Sequence, residues 1–324
     1  MTNSTAPANP CEQALARWCE RAAIGLHKVG VAYSGGGDST ALLLAAHQRW
    51  PGRVVALHVH HGLQSAADGF ETHARHFCER QGIELKVAHV QAAHEPGQSP
   101  EDAARLARYT ALARMARQAE VDCVLLGQHA DDQAETLLLA LSRGAGLPGL
   151  ASMSDRFERG GMKFGRPLLE VPAQALRDWL QAADHAFVDD PSNTDTRFTR
   201  NRIRAVLMPA WEASFPGFRT LLARSARHAA QAQRLLDELA TLDLLHTGTP
   251  PQIERLQLLG RDRQANALRQ WLRASAGVAA STAQLDELLD QIKACTTRGH
   301  RIHIKVGSGR VERAGACLRY TPAL

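Results

Sequence analysis

The sequence predicts an α/β protein, a doubly wound parallel sheet followed by a smaller, mainly helical domain that ends in a β-hairpin. Three observations carry that expectation. Short runs rich in valine and leucine alternate with helical patterns from residue 29 onward. Three consecutive glycines close the first of these strands and open a helix. After Pro216 the strand signals fade and helical apolar spacing takes over. At 324 residues two domains are the natural division, placed at 1–215 and 216–324.

The elements follow in order. "VGVAYS" (29–34) reads as a buried strand, and a helix from Thr40 to Arg49 stops at Trp50-Pro51. "RVVALHV" (53–59) is a second strand, a helix covers about 69–81, and "ELKVAHV" (84–90) is a third strand. The stretch 99–120 reads as a helix with Ser99 as N-cap and Pro100 at the first helical position. "VDCVLLG" (121–127) is a fourth strand, and the helix of 131–144 ends at glycine. Helical spacing then covers 218–245, 261–275 and 281–294, and the chain closes with alternation around Gly307-Ser308-Gly309.

Composition narrows the classes. No apolar run approaches the ~20 residues of a membrane span, and the first residues lack the basic start and apolar core of a secretory signal. A cytoplasmic location is the expectation. The six cysteines are dispersed with no CxxC, which argues against a zinc ribbon, an iron–sulfur site and a redox dithiol. Residues 1–150 carry 13 Lys/Arg and 15 Asp/Glu, a net −2, whereas 151–324 carry 25 and 18, a net +7. That asymmetry suits a polyanion docking on the second half, although arginine-rich helices with solvated faces would produce it too.

"VAYSGGGDSTALLLA" (31–45) holds the chemistry. Ligands of such sheets bind beyond the carboxyl ends of the strands, where this glycine run lies. Gly35, Gly36 and Gly37 let backbone N–H groups close around an anion, the helix N-terminus adds its dipole, and Ser34 and Ser39 add hydroxyls. A Walker loop would supply a lysine, and here Asp38 follows instead. A carboxylate beside phosphates needs a divalent cation between them, so the loop reads as a site for phosphates with Mg2+ on Asp38. The bland alternative is a tight turn in which Asp38 or Ser39 caps a helix.

With SGGGDS placed between strand and helix, the stretch resembles the loop of N-type ATP pyrophosphatases, whose fold is adenine nucleotide alpha hydrolase-like. "HVHHGLQ" (58–64), "EDAARLARYTAL" (101–112), "GQHADDQAETLLLALSRGAGLPGL" (127–150), "RPLLEV" (166–171) and "DDPSNTDTRFTRNRIR" (189–204) follow in the order found in the tRNA(Ile)-lysidine synthetase family. The resemblance runs from about residue 29 to 212. It implies that ATP and lysine convert the cytidine at the first anticodon position (position 34) of an isoleucine tRNA with a CAU anticodon into lysidine. An adenylated cytidine forms on the way, with release of AMP and pyrophosphate. It further implies ATP and Mg2+ as cofactors, a possible homodimer, and the shorter form of the family without an extra C-terminal domain.

Site residues follow. Asp38, Arg108 and Asp132 are the catalytic candidates, Arg108 on the strength of the resemblance, since Arg105, Arg114 and Arg117 lie nearby on the same helix. Asp132 and Glu135, at i and i+3, face the same way and form a cation site for the incoming lysine. Acids at a helix N-terminus also complement the dipole without any ligand. Arg197, Arg200 and Arg204 are the tRNA candidates, because arginine suits phosphate geometry. Alternatively they pair with Asp189, Asp190 and Asp195 and pin a loop. His58, His60 and His61 read as lining of the nucleotide pocket, since alternate strand residues point to opposite faces, and no zinc site is predicted. Many relatives carry two histidines where this chain has Gln128-His129. Two other functions share this framework. A tRNA thiolase would need paired cysteines beside the site, and a catalytically silent RNA-binding module would be expected to have lost the loop or its acids.

Overall fold

The structure is a computed structural model and describes residues 8–22, 25–60, 66–90, 100–189, 196–297 and 299–323. Ser99, His61, Asp190 and Asp195, singled out above, lie outside the described residues. In chain order the first part runs α1 (Pro10–Ala22), β1 (Val29–Ala32), α2 (Gly37–Arg49), β2 (Val54–His60), α3 (Ala66–Gln81), β3 (Glu84–His89), α4 (Pro100–Gln118) and β4 (Cys123–Leu125). It continues with α5 (Ala130–Ser142), α6 (Leu147–Leu150), β5 (Arg156–Arg159), β6 (Met162–Gly165), α7 (Ala173–Ala182), α8 (Thr199–Arg202), α9 (Met208–Ser214) and α10 (Phe218–Thr247).

Period-two alternation explains the strands. Val29 and Val31 of β1 join Val54 and Ala56 of β2 and Cys123 and Leu125 of β4 in one core cluster, together with α1, α2 and α7. The intervening Val55, Leu57 and Val124 join a second cluster built mainly on α4. The sheet is thus buried on both faces, as parallel sheets require. Gly30 is small of necessity, because a Cβ there would come within 2.9 Å of Leu57 Cδ1. The strand order is β3-β2-β1-β4-β6-β5, with β5 antiparallel to β6 and all other pairs parallel. The order reverses between β1 and β4, which opens a crevice at their carboxyl ends.

The first strand ends at Ala32 and α2 starts at Gly37, so the glycines belong partly to the helix rather than to a separate loop. α1, β5, β6 and α7 were not anticipated. Short pieces such as β5, in which three of four residues are exposed, carry no apolar alternation to read.

Two compact units emerge, Met1–Ala229 and Ala230–Leu324, so this division falls inside the 30-residue α10. The physical reason is that the start of α10 packs into the first unit. Phe218 is buried with Ala134 and Met208, and Arg219 bonds to Asp131. The second unit holds the rest of α10, then α11 (Ile253–Gln257), α12 (Arg261–Ala276), α13 (Thr282–Ala294), β7 (His303–Val306), β8 (Gly309–Ala314) and β9 (Cys317–Thr321). The expected hairpin is there as β7–β8, and a turn at Gly315, φ +65°, adds a third antiparallel strand. Trp271, Leu268, Leu288, Ile292, Val306 and Val311 fill the core of this unit. No helix among the described residues is long and apolar enough to cross a membrane.

Candidate active site

The turn after β1 is stitched by its own hydroxyls. Gly35 sits at φ +90°, a conformation that favours glycine. Ser39 Oγ donates to Gly36 O at 2.9 Å and lies 3.1 Å from Ser34 Oγ, while Ser34 N donates to Ser39 Oγ at 3.2 Å. The N-cap of α2 is Gly36, with no side-chain cap hydrogen bond, and Asp38 lies inside the first turn. The reading of Asp38 or Ser39 as a helix cap is therefore wrong. Ser34, Gly35, Gly36, Gly37, Asp38 and Ser39 are contiguous around an N-terminus whose donors no side chain caps, an arrangement suited to an anion.

The turn after β4 meets this loop face to face. Gly127 permits the approach, since a Cβ there would lie 3.2 Å from Ser39 N and 3.3 Å from Asp38 C. Next along the chain, the buried His129 aims Nε2 at two carboxylates, 3.2 Å from Asp38 Oδ2 and 3.4 Å from Asp132 Oδ2. Its Nδ1 lies 3.7 Å from Asp131 Oδ2. Burial alone would push the imidazole down. The Asp38 hydrogen bond and the charges of Asp132, Asp38 and Asp131 overcome it and raise His129 to about 9. Acids from two strand ends thus favour the protonated form of this imidazole.

The three acids of α5 have different duties. Asp131 accepts from Ala173 N at 2.9 Å and from Arg219 Nε, so it fastens the start of α7 and of α10. Asp132 accepts from His129 N at 3.2 Å and turns its other oxygen toward Arg204, 3.6 Å from NH2. Glu135 is 1% exposed, and its Oε1 accepts from Arg204 Nε at 2.8 Å and lies 2.8 Å from Arg204 NH2. Burial raises the Glu135 carboxyl, and Arg204 opposes the rise. Asp132 and Glu135 do face the same way, and the cation between them here is an arginine of the same chain. Arg204 is accordingly paired with these acids, and Asp189 is not its partner.

Asp38 fits a hard cation. Its Oδ1 is buried with no hydrogen-bond partner, and Asp38 Oδ2 and Asp132 Oδ2 converge on the same imidazole nitrogen. Carboxylate oxygens so arranged suit Mg2+, which takes one or two carboxylates alongside phosphate oxygens.

A second network borders the first. Arg166 is buried, yet among the described residues it donates to neutral acceptors: Gln128 Oε1 at 3.1 Å, Ser154 O at 2.7 Å and Tyr109 Oη at 3.3 Å. Its guanidinium stacks 4.2 Å from the Phe157 ring centroid. Gln128, the departure from the two-histidine pattern, thus serves as an acceptor that orients a buried arginine. Arg108 lies exposed on α4, 5.9 Å from the Tyr109 ring centroid. In the basic run Arg197 and Arg202 are exposed, Arg200 is half-buried, and Phe198 between them is 57% exposed. His129, Arg166 and Phe198 were missed as site residues. A histidine followed closely by two aspartates was a usable signal for the first, and the "RPLLEV" match for the second.

Residues 8–211 match the PP-loop domain family, and residues 252–320 match the TilS substrate binding domain. The tRNA(Ile)-lysidine synthase of Polaromonas naphthalenivorans is 59% identical over 295 residues, covering 91% of this chain and 90% of that protein. The tRNA(Ile)-lysidine synthase of Burkholderia pseudomallei is 42% identical over 298 residues, spanning 90% of this chain but 59% of that protein's length. Among solved structures, the U34-tRNA thiolase NcsA from Methanococcus maripaludis, with its 4Fe-4S cluster, covers 67% of this chain and 77% of its own at a TM-score of 0.57. At 18% identity that likeness is one of fold alone.

Proposed function

The chain belongs to the tRNA(Ile)-lysidine synthase family, and from that premise we propose how its residues share the work of joining lysine to a cytidine. The activity is ATP-dependent lysidine formation in tRNA(Ile), carried out by a ligase with a PP-loop domain. The observation that carries the residue assignment is the convergence of Asp38 and Asp132 on one nitrogen of His129, beside the uncapped start of α2.

In this reading the phosphates of ATP lie against Ser34, Gly35, Gly36, Gly37, Asp38 and Ser39. Asp38 and Asp132 would hold Mg2+, which would supply positive charge to the phosphates. The cytidine oxygen O2 attacks the α-phosphorus, the bond to the bridging oxygen breaks, and the base is left with AMP as a good leaving group. Arg108 stabilises the charge that develops on the phosphorus. The lysine amine must shed a proton before it attacks C2, and Asp132 is the group assigned to receive it. Attack then expels AMP.

Glu135 and Arg204 are assigned to one exchange. The lysine ammonium would take the place Arg204 occupies between Asp132 and Glu135, and a tRNA phosphate would receive the guanidinium as it leaves. Arg197 and Arg200 then hold further phosphates of the isoleucine tRNA, with Phe198 offering a face on which a base stacks. Residues 1–215 are read as the catalytic part and 216–324 as the tRNA-holding part. A cytoplasmic location follows from the substrate. The homodimer belongs to the same reading, and sedimentation of the free enzyme tests it.

The decisive experiment is mass analysis of nucleosides from tRNA(Ile) with a CAU anticodon after incubation with ATP, Mg2+ and lysine. Lysidine together with stoichiometric AMP and pyrophosphate is the expected result. ADP and phosphate as the products would remove the adenylation step. The dispersed thiols give the thiolase reading nothing to stand on, because Cys123 is buried in β4 and pushed up to about 12 by burial.

A further inference from the structure

Alternation along β2 sends His58 and His60 to the same face and says nothing of their neighbours. Register supplies the neighbour. β2 and β3 are parallel with His60 directly opposite His89, and the two rings lie 4.6 Å apart, centroid to centroid. α3 packs on these two strands and brings Asp68 and Glu71, three residues apart, to the rings. His60 Nε2 is 3.0 Å from Asp68 Oδ1, and His89 Nε2 is 3.3 Å from Glu71 Oε2. One ligand atom each from His60, Glu71 and His89 fall within 4.8 Å of one another.

We propose that His60, His89 and Glu71 form a second metal site, specific for a borderline divalent transition-metal ion of the zinc class, with the fourth position left to solvent. Bonds of about 2.0–2.1 Å to nitrogen and oxygen set tetrahedral donors about 3.3 Å apart. His89 Nε2 and Glu71 Oε2, 3.3 Å apart, already have that spacing. Two imidazoles with one carboxylate suit zinc, cobalt or nickel and disfavour magnesium, which takes oxygen alone. Arg75 holds Glu71 through Oε1, at 2.9 and 2.7 Å, and so fixes Oε2 toward His89. Such an outer partner orients a ligating carboxylate. The site differs from the magnesium site in place as well as chemistry. β3 is the edge strand of the sheet, separated from β1 by β2, so an ion here would fasten the ends of β2 and β3 to α3. The alternative is two ordinary histidine–carboxylate contacts that need no ion.

The test uses the full-length protein, stripped with a chelator and titrated with Co2+. One equivalent with the visible absorption of tetrahedral cobalt, displaced by Zn2+, is expected. His89 is 66% exposed, so His89→Ala spares the core, and it should weaken Co2+ at least about tenfold. Glu71→Gln should weaken it in the same direction, while Asp38→Asn retains the cobalt spectrum. Zn2+ should raise the melting temperature of the wild type and not that of His89→Ala. Absence of the tetrahedral spectrum, or an equal affinity in wild type and His89→Ala, would overturn the site.

Discussion

Two helices of this chain begin in opposite ways. α13 is closed by its own side chains, Ser281 Oγ accepting from Gln284 N at 3.2 Å and Gln284 Oε1 accepting from Ser281 N at 3.0 Å. α2 begins at Gly36 with no side-chain cap, and hydroxyls shape its approach without taking over its end. A reciprocal box satisfies donors that would otherwise seek water and contributes only stability. The bare end forgoes that stability and holds its donors for an anion. Helix propensity does not separate the two. The residue at the cap position does.

The largest effect should come from Asp38→Asn at the bare end. Loss of its charge is expected to lower pyrophosphate release at least about a hundredfold with melting little changed. A near-normal rate would return Asp38 to an ordinary first-turn acid. Next comes Arg204→Ala, which strands the buried Glu135. Discounted for the partial exposure of Arg204, the loss should be about 2 kcal/mol in thermal unfolding. Arg200→Ala, in contrast, should leave melting alone and make the salt dependence of tRNA affinity shallower by about one unit. A wild-type slope with early melting would make the run a loop pin.

Converting the bare end into a capped one sharpens the contrast. A Cβ at Gly36 meets only Ser34 Oγ at 3.4 Å and Val188 O at 3.8 Å, so Gly36→Ser fits. Its hydroxyl would claim a donor of the first turn, and the KM for ATP should rise severalfold while stability stays within a few tenths of a kcal/mol. An unchanged KM would move the phosphates elsewhere. The reverse experiment, Ser281→Ala, should cost about 1 kcal/mol of the second unit's stability and leave turnover untouched.

The smallest effect serves as a control away from both ends. Cys78 and Cys123 are pushed up to about 12 by burial. The folded chain therefore keeps both protons where the unfolded chain begins to lose them near 9, and stability should fall as pH rises from there toward 12. At pH 8 both thiols should resist iodoacetamide until the chain unfolds, as mass spectrometry of the labelled peptides would record.

Legibility in the sequence followed how local each signal is. The strand–glycine–helix order, the acids one turn apart on α5 and the reversal from strands to helices are read within a few residues, and all three stand in the fold. Contacts across long separations were not readable. Arg204 reaches Glu135 over 69 residues and Arg166 reaches Gln128 over 38. The start of α10 is a further case. α10 looks continuous along the chain, and residues that meet partners far upstream, Phe218 by packing and Arg219 and Arg227 by hydrogen bonds, fasten its start to the first unit. His89 opposite His60 is a fact of register, and register is a property of two strands together.

Both margins of the large sheet are written in charge. β3, at one side, exposes Glu84, Lys86 and His89, with Lys86 Nζ 3.0 Å from Glu84 Oε1. β5, at the other, turns back antiparallel and exposes Arg156, Glu158 and Arg159. A stray extended chain that tried to extend either ladder would have to bury ionised side chains alongside its own backbone. Misassembly by strand addition, to which a slowly completed parallel sheet is exposed while it folds, is thereby discouraged at both places where it could start.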